Sequence, residues 1–143
     1  MLYDEIQEPD AVTADELRAR YEAELTATIE SVGVDAVVER TGVDEGVVGT
    51  LAEGASVELS VADAAAILAT GEDAPASDVI LAEVRDTLLM GMTNAVLDVD
   101  AIAADVDADL TGKEVQQRIE GRTPMTLAEY AELHRFIAGE ADW

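Results

Sequence analysis

The first long segment of the chain carries apolar residues at every fourth position. This stripe consists of Leu17, Tyr21, Leu25 and Ile29. Such spacing places the four side chains on one face of an α-helix. Thr13 and Glu16 form a capping box before the stripe, and Gly33 is a residue suited to ending a helix. The pattern therefore predicts a helix that begins after Thr13 and ends at Gly33.

Similar start and stop signals divide the rest of the chain into helices. Ser60, Thr111 and Thr126 are each followed by an acidic residue three positions later, a pattern typical of a helix N-cap. The further predicted helices span 35–40, 44–52, 60–70, 78–97, 100–105, 111–120 and 126–138. No segment shows the sustained apolar and polar alternation of a strand. We therefore predict an all-α fold with about eight helices.

The order of these segments is repeated once along the chain. A shift of 67 positions places Leu17 on Val84 and Leu25 on Met92, and a shift of 66 places Ser60 on Thr126. A fixed offset of this kind indicates a duplicated unit. The sequence predicts a loose lead-in at 1–12, four-helix units at 13–72 and 78–139, and a hinge at 73–77. Because each unit is small, we expect the two to share a core.

Composition indicates that the surface of this fold is strongly acidic. The chain has 32 acidic and 8 basic residues, a formal net charge of −24, and the acids divide evenly between its halves. Such a charge opposes compaction and repels nucleic acids and anionic membranes. Because 49% of the residues are hydrophobic, the chain is still expected to fold. The even acidic coat resembles that of proteins from extreme halophiles, where molar salt shortens the Debye length to about 3 Å.

Several residue types and motifs that particular functions require are absent from the sequence. There is no cysteine, which excludes disulfides and thiolate metal sites. The longest uncharged run, 87–97, is too short to cross a bilayer and follows no basic leader, so we expect a soluble cytoplasmic protein. The aspartate-rich segment 105–109 lacks the glycine and glutamate of an EF-hand loop. With no nucleophile–base pair and no phosphate loop, we expect no enzyme activity, cofactor or metal.

Two segments, one in each unit, carry a family pattern. Residues 41–54 read Thr-Gly-Val-Asp-Glu-Gly-Val-Val-Gly-Thr-Leu-Ala-Glu-Gly, and residues 117–129 read Gln-Arg-Ile-Glu-Gly-Arg-Thr-Pro-Met-Thr-Leu-Ala-Glu. The first segment resembles the helix-turn-helix of the phage-repressor (Cro/cI-like) family. The second is similar to the end of the recognition helix, the following loop and the start of the next helix in bacterial members. The resemblance implies two tandem helix-turn-helix units.

The two units differ in the charge available to meet DNA. Residues 44–69 contain five acids and no base, so contact of the first unit with phosphate would be repulsive and its role is structural. Residues 111–135 contain four acids and four bases, half of all bases in the chain. The resemblance implies that Thr111 caps the second recognition helix beside a phosphate, that Lys113, Gln116 and Gln117 face bases, and that Arg118 and Arg122 hold the backbone of double-stranded DNA.

Two functional hypotheses remain open from the sequence. DNA binding through the second unit predicts that Lys113, Gln117 and Arg118 are exposed on one helix and unpaired. A protein-interaction module, or homodimer, instead predicts an exposed apolar patch around Met90 and Met92. The plainest interpretation of residues 111–135 is a solvated face balanced by ion pairs.

Two single residues carry structural expectations. Gly91 lies within a predicted helix, where glycine costs about 1 kcal/mol relative to alanine, so we expect a close approach between helices there. His134 is the single histidine, and we expect it to be half-buried on its helix.

Overall fold

The computed structural model describes residues 1–106 and 109–141, which form eight α-helices. In chain order these are α1 (Ala14–Val32), α2 (Val34–Thr41), α3 (Glu45–Ala52), α4 (Val61–Leu68), α5 (Ser77–Ala95), α6 (Val99–Asp105), α7 (Gly112–Ile119) and α8 (Leu127–Ala141). A short 3₁₀ helix, Pro9–Ala11, precedes α1. The predicted all-α fold with about eight helices is confirmed.

The helix starts follow the capping signals of the sequence. The Thr13 hydroxyl accepts a hydrogen bond from the Glu16 N–H, and the Glu16 carboxylate accepts one from the Thr13 N–H. Thr111 caps α7 and Thr126 caps α8 in the same reciprocal manner. The start of α5 is different, because Ser77 is its first residue and the N-cap, Ala76, makes no side-chain hydrogen bond.

The two sets of four helices match in register at their third and fourth helices but not at their first and second, since α6 begins only 65 positions after α2. α3 and α7 begin 67 positions apart, and α4 and α8 begin 66 positions apart, as the repeat predicts. α5 instead starts and ends four positions earlier than the shift of 67 from α1 requires. Val96, which the repeat pairs with the buried Ile29, therefore lies beyond the end of α5 and is exposed.

The two units meet through equivalent residues. Ser60 and Thr126 form an isolated antiparallel bridge. On one side the Val61 N–H donates to the Met125 carbonyl over 2.7 Å, and on the other the Leu127 N–H donates to the Leu59 carbonyl over 2.9 Å. Since a shift of 66 maps Val61 onto Leu127 and Leu59 onto Met125, the pair of hydrogen bonds is reciprocal. This is the geometry of a local twofold axis between the units.

One hydrophobic core serves both units. α1, α4, α5 and α8 form a closed ring in which each helix packs against two neighbours, one of them from the other unit. The α2–α3 pair packs on both α1 and α4. The α6–α7 pair makes its only substantial packing outside the pair with α8, through α6, among the described residues. The expected shared core is present, and the second unit is the more open of the two.

The N-terminal segment is packed rather than loose. Leu2, Ile6 and Val12 are buried in the common core. The Tyr130 hydroxyl on α8 donates a 2.7 Å hydrogen bond to the Leu2 carbonyl, and Arg135 Nε donates one of 2.7 Å to the Val12 carbonyl. The prediction that residues 1–12 form a loose lead-in is therefore wrong. The reason is that α8 supplies hydrogen-bond donors and apolar surface that the local sequence does not reveal.

Gly91 lies where α5 packs tightly against α8. A Cβ atom at position 91 would lie 2.5 Å from Ile137 Cγ2, so a larger residue would push the two helices apart. This contact explains the glycine within a helix, as expected from the sequence. It also fixes which side of α5 faces the core.

No single helix within 1–106 and 109–141 combines the length and apolar content required to cross a bilayer. α5 and α6 reach that threshold only when taken together, and the chain bends by 92° between them.

Candidate binding surfaces

The expected recognition helix, α7, is anchored by its apolar side. Val115 and Ile119 are buried, while Lys113 and Gln116 are exposed on the opposite side and Gln117 is half-buried. The capping box holds the start of the helix, with the exposed Thr111 as its N-cap. The three residues expected to face bases therefore lie on one short helix, with two of them open to solvent.

Lys113 is the cation of this surface that stays unpaired. It is exposed and makes no ion pair with any residue in 1–106 or 109–141. The neighbouring Gln116 is engaged by its own helix, since its Nε2 donates a 3.0 Å hydrogen bond to Glu120 Oε1. The unpaired ammonium group of Lys113 and the Gln116 amide, which already donates to Glu120, offer few hydrogen-bond donors for contacts with DNA bases.

The two arginines expected to hold the DNA backbone are both paired with carboxylates. Arg118 Nε donates to Glu129 Oε2 over 3.0 Å, and the Arg118 side chain is only 15% exposed. Arg122 lies 3.1 Å from Glu120 Oε2 but is 74% exposed. DNA binding predicts an unpaired Arg118, and its ion pair with Glu129 in the cap of α8 counts against that hypothesis.

The amino end of α7 is already occupied by negative charge. The Asp100 carboxylate lies against Gly112, where a Cβ atom would overlap it. The backbone N–H of Thr111 donates to the Glu114 carboxylate and lowers the pKa of that group. A helix amino end attracts anions, but two carboxylates at this end oppose the approach of a phosphate.

A different surface, on α5, is apolar and exposed. Within the described residues, the exposed large hydrophobic side chains all lie on this helix or its C-cap: Val79 (47%), Leu89 (43%), Met90 (65%) and Val96 (90%). We call these four residues the α5 apolar face. The expected patch around Met90 is present, but Met92 is half-buried and belongs to the edge of the core. The uncharged run 87–97 is the feature of the sequence that could have indicated the exposed apolar residues Leu89 and Val96.

Val96 has an unusual backbone for a β-branched residue. Its φ and ψ are 55° and 48°, in the left-handed region that favours glycine. The side chain is almost fully exposed, so it gains little from packing within the chain. A valine held in this conformation is a local cost to the isolated protein.

His134 belongs to a buried aromatic cluster rather than to a binding surface. It stacks on Tyr130 with ring centroids 5.1 Å apart, and Tyr130 stacks on Tyr21 at 5.5 Å. Burial lowers the pKa of His134 to about 4. The expected half-buried histidine is thus fully buried and neutral. The three aromatic residues, contributed by both units, strengthen the core.

The sequence argues against a metal site at 105–109, and the structure describes only part of that segment. Residues 107 and 108 of the aspartate-rich segment 105–109 lie outside the described residues. Elsewhere, in 1–106 and 109–141, no three histidine, cysteine, aspartate or glutamate side chains are grouped to hold a metal ion.

The described helices define an all-α protein in which eight helices surround one core. The chain belongs to a family of unknown function, DUF5791, whose model matches residues 17–140. No curated protein and no solved structure matches the chain. The family match extends from α1 to α8, so it includes both units.

Proposed function

We propose that this protein is a non-catalytic protein-interaction module that binds a second copy of itself through the α5 apolar face. The observation that carries the proposal is the concentration of exposed large hydrophobic side chains on this single helix. Exposed apolar surface gathered on one element is typical of an interaction site.

The charge of the chain favours a second copy as the occupant. A protein of net charge −24 repels its own copies wherever acidic residues face each other. Three of the four residues of the α5 apolar face lie within the uncharged run 87–97, so two copies meeting there place no carboxylates opposite each other within that run, whereas Val79 lies beyond the exposed Glu83 and Asp86. A self-complementary contact of one patch with itself is the common arrangement of homodimers. A basic partner would find no acidic group to bind within this run.

The strained Val96 gives independent support. The isolated chain would gain from glycine at this position, whereas an exposed valine contributes apolar area to an interface. The residue is therefore better explained by contact with a partner than by packing within the monomer.

Sedimentation equilibrium in molar potassium chloride tests this proposal. We expect a dimer for the parent protein and a monomer for Met90→Lys. Ala23→Lys is the matched control, because Ala23 is the exposed equivalent of Met90 in the first unit and should leave the dimer intact. A monomeric parent at high micromolar concentration, or a Met90→Lys variant that still dimerises, would refute the proposal.

A second candidate function is DNA binding through α7, and the exposed, unpaired Lys113 favours it. Molar salt weakens the counterion-release contribution of phosphate contacts, so binding would depend on hydrogen bonds and shape. Gln117→Ala should then weaken a specific site by about 1–3 kcal/mol, and Arg122→Ala should weaken all sequences alike.

Footprinting on genomic fragments in molar potassium chloride tests this candidate. Lys113→Ala is the most informative variant, because Arg118 is held by Glu129 and its removal would also disturb the contact between α7 and α8. The absence of a protected site, or full protection by the Lys113→Ala variant, would exclude DNA binding through α7.

A further inference from the structure

A groove of about 410 Å³ lies between α5, α7 and the loop that joins α7 to α8. Its apolar wall is formed by Leu81, Val84, Leu88, Ile119 and Met125. No residue of the α5 apolar face lines it, so the groove is separate from the proposed dimer surface. The volume is within the range of about 300–1,000 Å³ that is common for small-molecule sites.

Three arginines line this one groove in a chain that has only 8 basic residues. They are Arg85, Arg118 and Arg122. Arg118 and Arg122 are paired with Glu129 and Glu120, so these five side chains leave one positive charge in excess. In a protein of net charge −24, a cationic groove with an apolar wall is a marked local exception.

Arg85 is positioned by the backbone rather than by a carboxylate. Its Nε donates a 3.0 Å hydrogen bond to the Ile119 carbonyl at the end of α7. Its Nη2 lies over Gly121, where a Cβ atom would be only 2.7 Å away. Arg85 is exposed and makes no ion pair with residues of the described ranges, so its charge is available to a ligand.

In the first unit, the region equivalent to this groove is closed by hydrogen bonds and an ion pair. The equivalent arginine, Arg18, lies 3.8 Å from Glu22 and donates to the Val57 carbonyl. Glu22 also accepts hydrogen bonds from Ser56 and from the Val57 N–H, which ties the loop to α1. The Thr26 hydroxyl donates to the Leu51 carbonyl and joins α1 to α3.

The second unit lacks these closing contacts, and Thr93, the equivalent of Thr26, donates to the Leu89 carbonyl of its own helix instead. The repeat replaces Glu22 with Leu89, Leu51 with Arg118 and Ala55 with Arg122. α5 and α7 make no packing contact comparable to that of α1 and α3. These differences remove the acid that pairs with the first arginine and add two cations, and an opening lies between α5 and α7.

From this comparison we infer that the groove binds a small amphiphilic carboxylate. The carboxylate contacts the free Arg85 and the exposed Arg122, and the apolar body lies along Val84, Leu88 and Met125. Guanidinium groups suit carboxylates because they offer paired donors in a planar fork. Burial of the apolar body supplies binding free energy that molar salt does not screen.

Titration with octanoate, followed by amide NMR in molar potassium chloride, tests the inference. We expect saturable shifts at Leu88, Gly121 and Thr123. Octanol has the same chain without the charge, and acetate has the charge without the chain. Octanol should bind about tenfold more weakly, and acetate should give no saturable shift.

Two variants and one control complete the experiment. Arg85→Gln and Arg122→Gln should each weaken octanoate binding by about fivefold or more. Arg122→Gln is the decisive variant, because this side chain is largely exposed and its loss should not affect folding. Arg20→Gln, an exposed change on α1, should bind as the parent does. Equal affinity for octanoate and octanol, unchanged binding by Arg122→Gln, or shifts confined to other surfaces would overturn the inference.

Discussion

The Tyr21 hydroxyl and Nδ1 of His134 share a 2.6 Å hydrogen bond, which joins the first helix, α1, to the last, α8. Burial raises the pKa of Tyr21, so the hydroxyl stays protonated. A neutral imidazole can accept from this hydroxyl or, in its other tautomer, donate to it. Burial lowers the pKa of His134, so the stability that the buried neutral ring contributes depends on pH.

This dependence predicts a specific loss of stability in mild acid. Burial lowers the pKa of His134 from 6.5 to about 4, so the unfolded chain takes up the proton first as the pH falls. The contribution of His134 is fully present above pH 6.5 and is lost towards pH 4. We expect the loss to be on the order of 3 kcal/mol, measured by chemical unfolding at a series of pH values.

The variant His134→Asn separates this effect from the titration of carboxylates. Its amide oxygen can accept the Tyr21 hydrogen bond but does not titrate in this range. The difference in unfolding free energy between parent and variant should shrink as the pH falls from 6.5 to 4. A difference that is independent of pH would show that the fold does not lower the pKa of His134.

The acidic surface predicts a requirement for salt. With −24 charges on a small protein, self-repulsion should loosen the fold when the Debye length is long. We expect helical circular dichroism and a cooperative melt in molar potassium chloride, and a lower melting temperature in millimolar salt. Unchanged melting across the titration would contradict the halophilic explanation of the charge.

Leu25 and Met92 are equivalent in the repeat but differ in burial, and this predicts unequal costs of truncation. Leu25 is fully buried, so Leu25→Ala should lower the free energy of unfolding by about 2–5 kcal/mol. Met92 is half-buried at the edge of the core, so Met92→Ala should cost about 1 kcal/mol. Thr93→Ala, at an exposed neighbouring position, serves as the control. Equal losses at positions 25 and 92 would contradict this difference.

Val96→Gly should stabilise the monomer while weakening the proposed dimer. Glycine tolerates the left-handed conformation, and the relief of strain should exceed the added entropy of the unfolded chain by up to about 1 kcal/mol. We expect a rise of a few degrees in the melting temperature of a Met90→Lys background, which isolates the monomer. Val79→Gly, a matched change within the helical part of α5, should lower it.

The helix boundaries could be predicted from the sequence because their causes are local. The Thr13–Glu16 and Thr111–Glu114 capping boxes bring together residues three positions apart, and both are present in the fold. The buried side of α1 followed from the spacing of its apolar residues. Gly91 could be assigned to a helix contact because a glycine within a helix requires a reason.

The pairing of charged side chains could not be predicted in the same way. Glu129 reaches Arg118 across 11 residues, through the loop between α7 and α8. The Ile119 carbonyl that positions Arg85 is 34 residues away. Helical spacing specifies the face of a residue but not the neighbour that a loop brings to it. The open groove and the paired arginines therefore became visible only in the folded chain.

The reciprocal hydrogen bonds around Ser60 and Thr126 have an evolutionary consequence. Two separate copies of one unit could meet through the same contact, but every substitution in their gene would then appear on both sides of the axis. In a fused chain a substitution enters one side only. Positions 118 and 122 are arginine while the equivalent positions 51 and 55 are leucine and alanine, a difference between the two sides of the axis that only a fused chain allows.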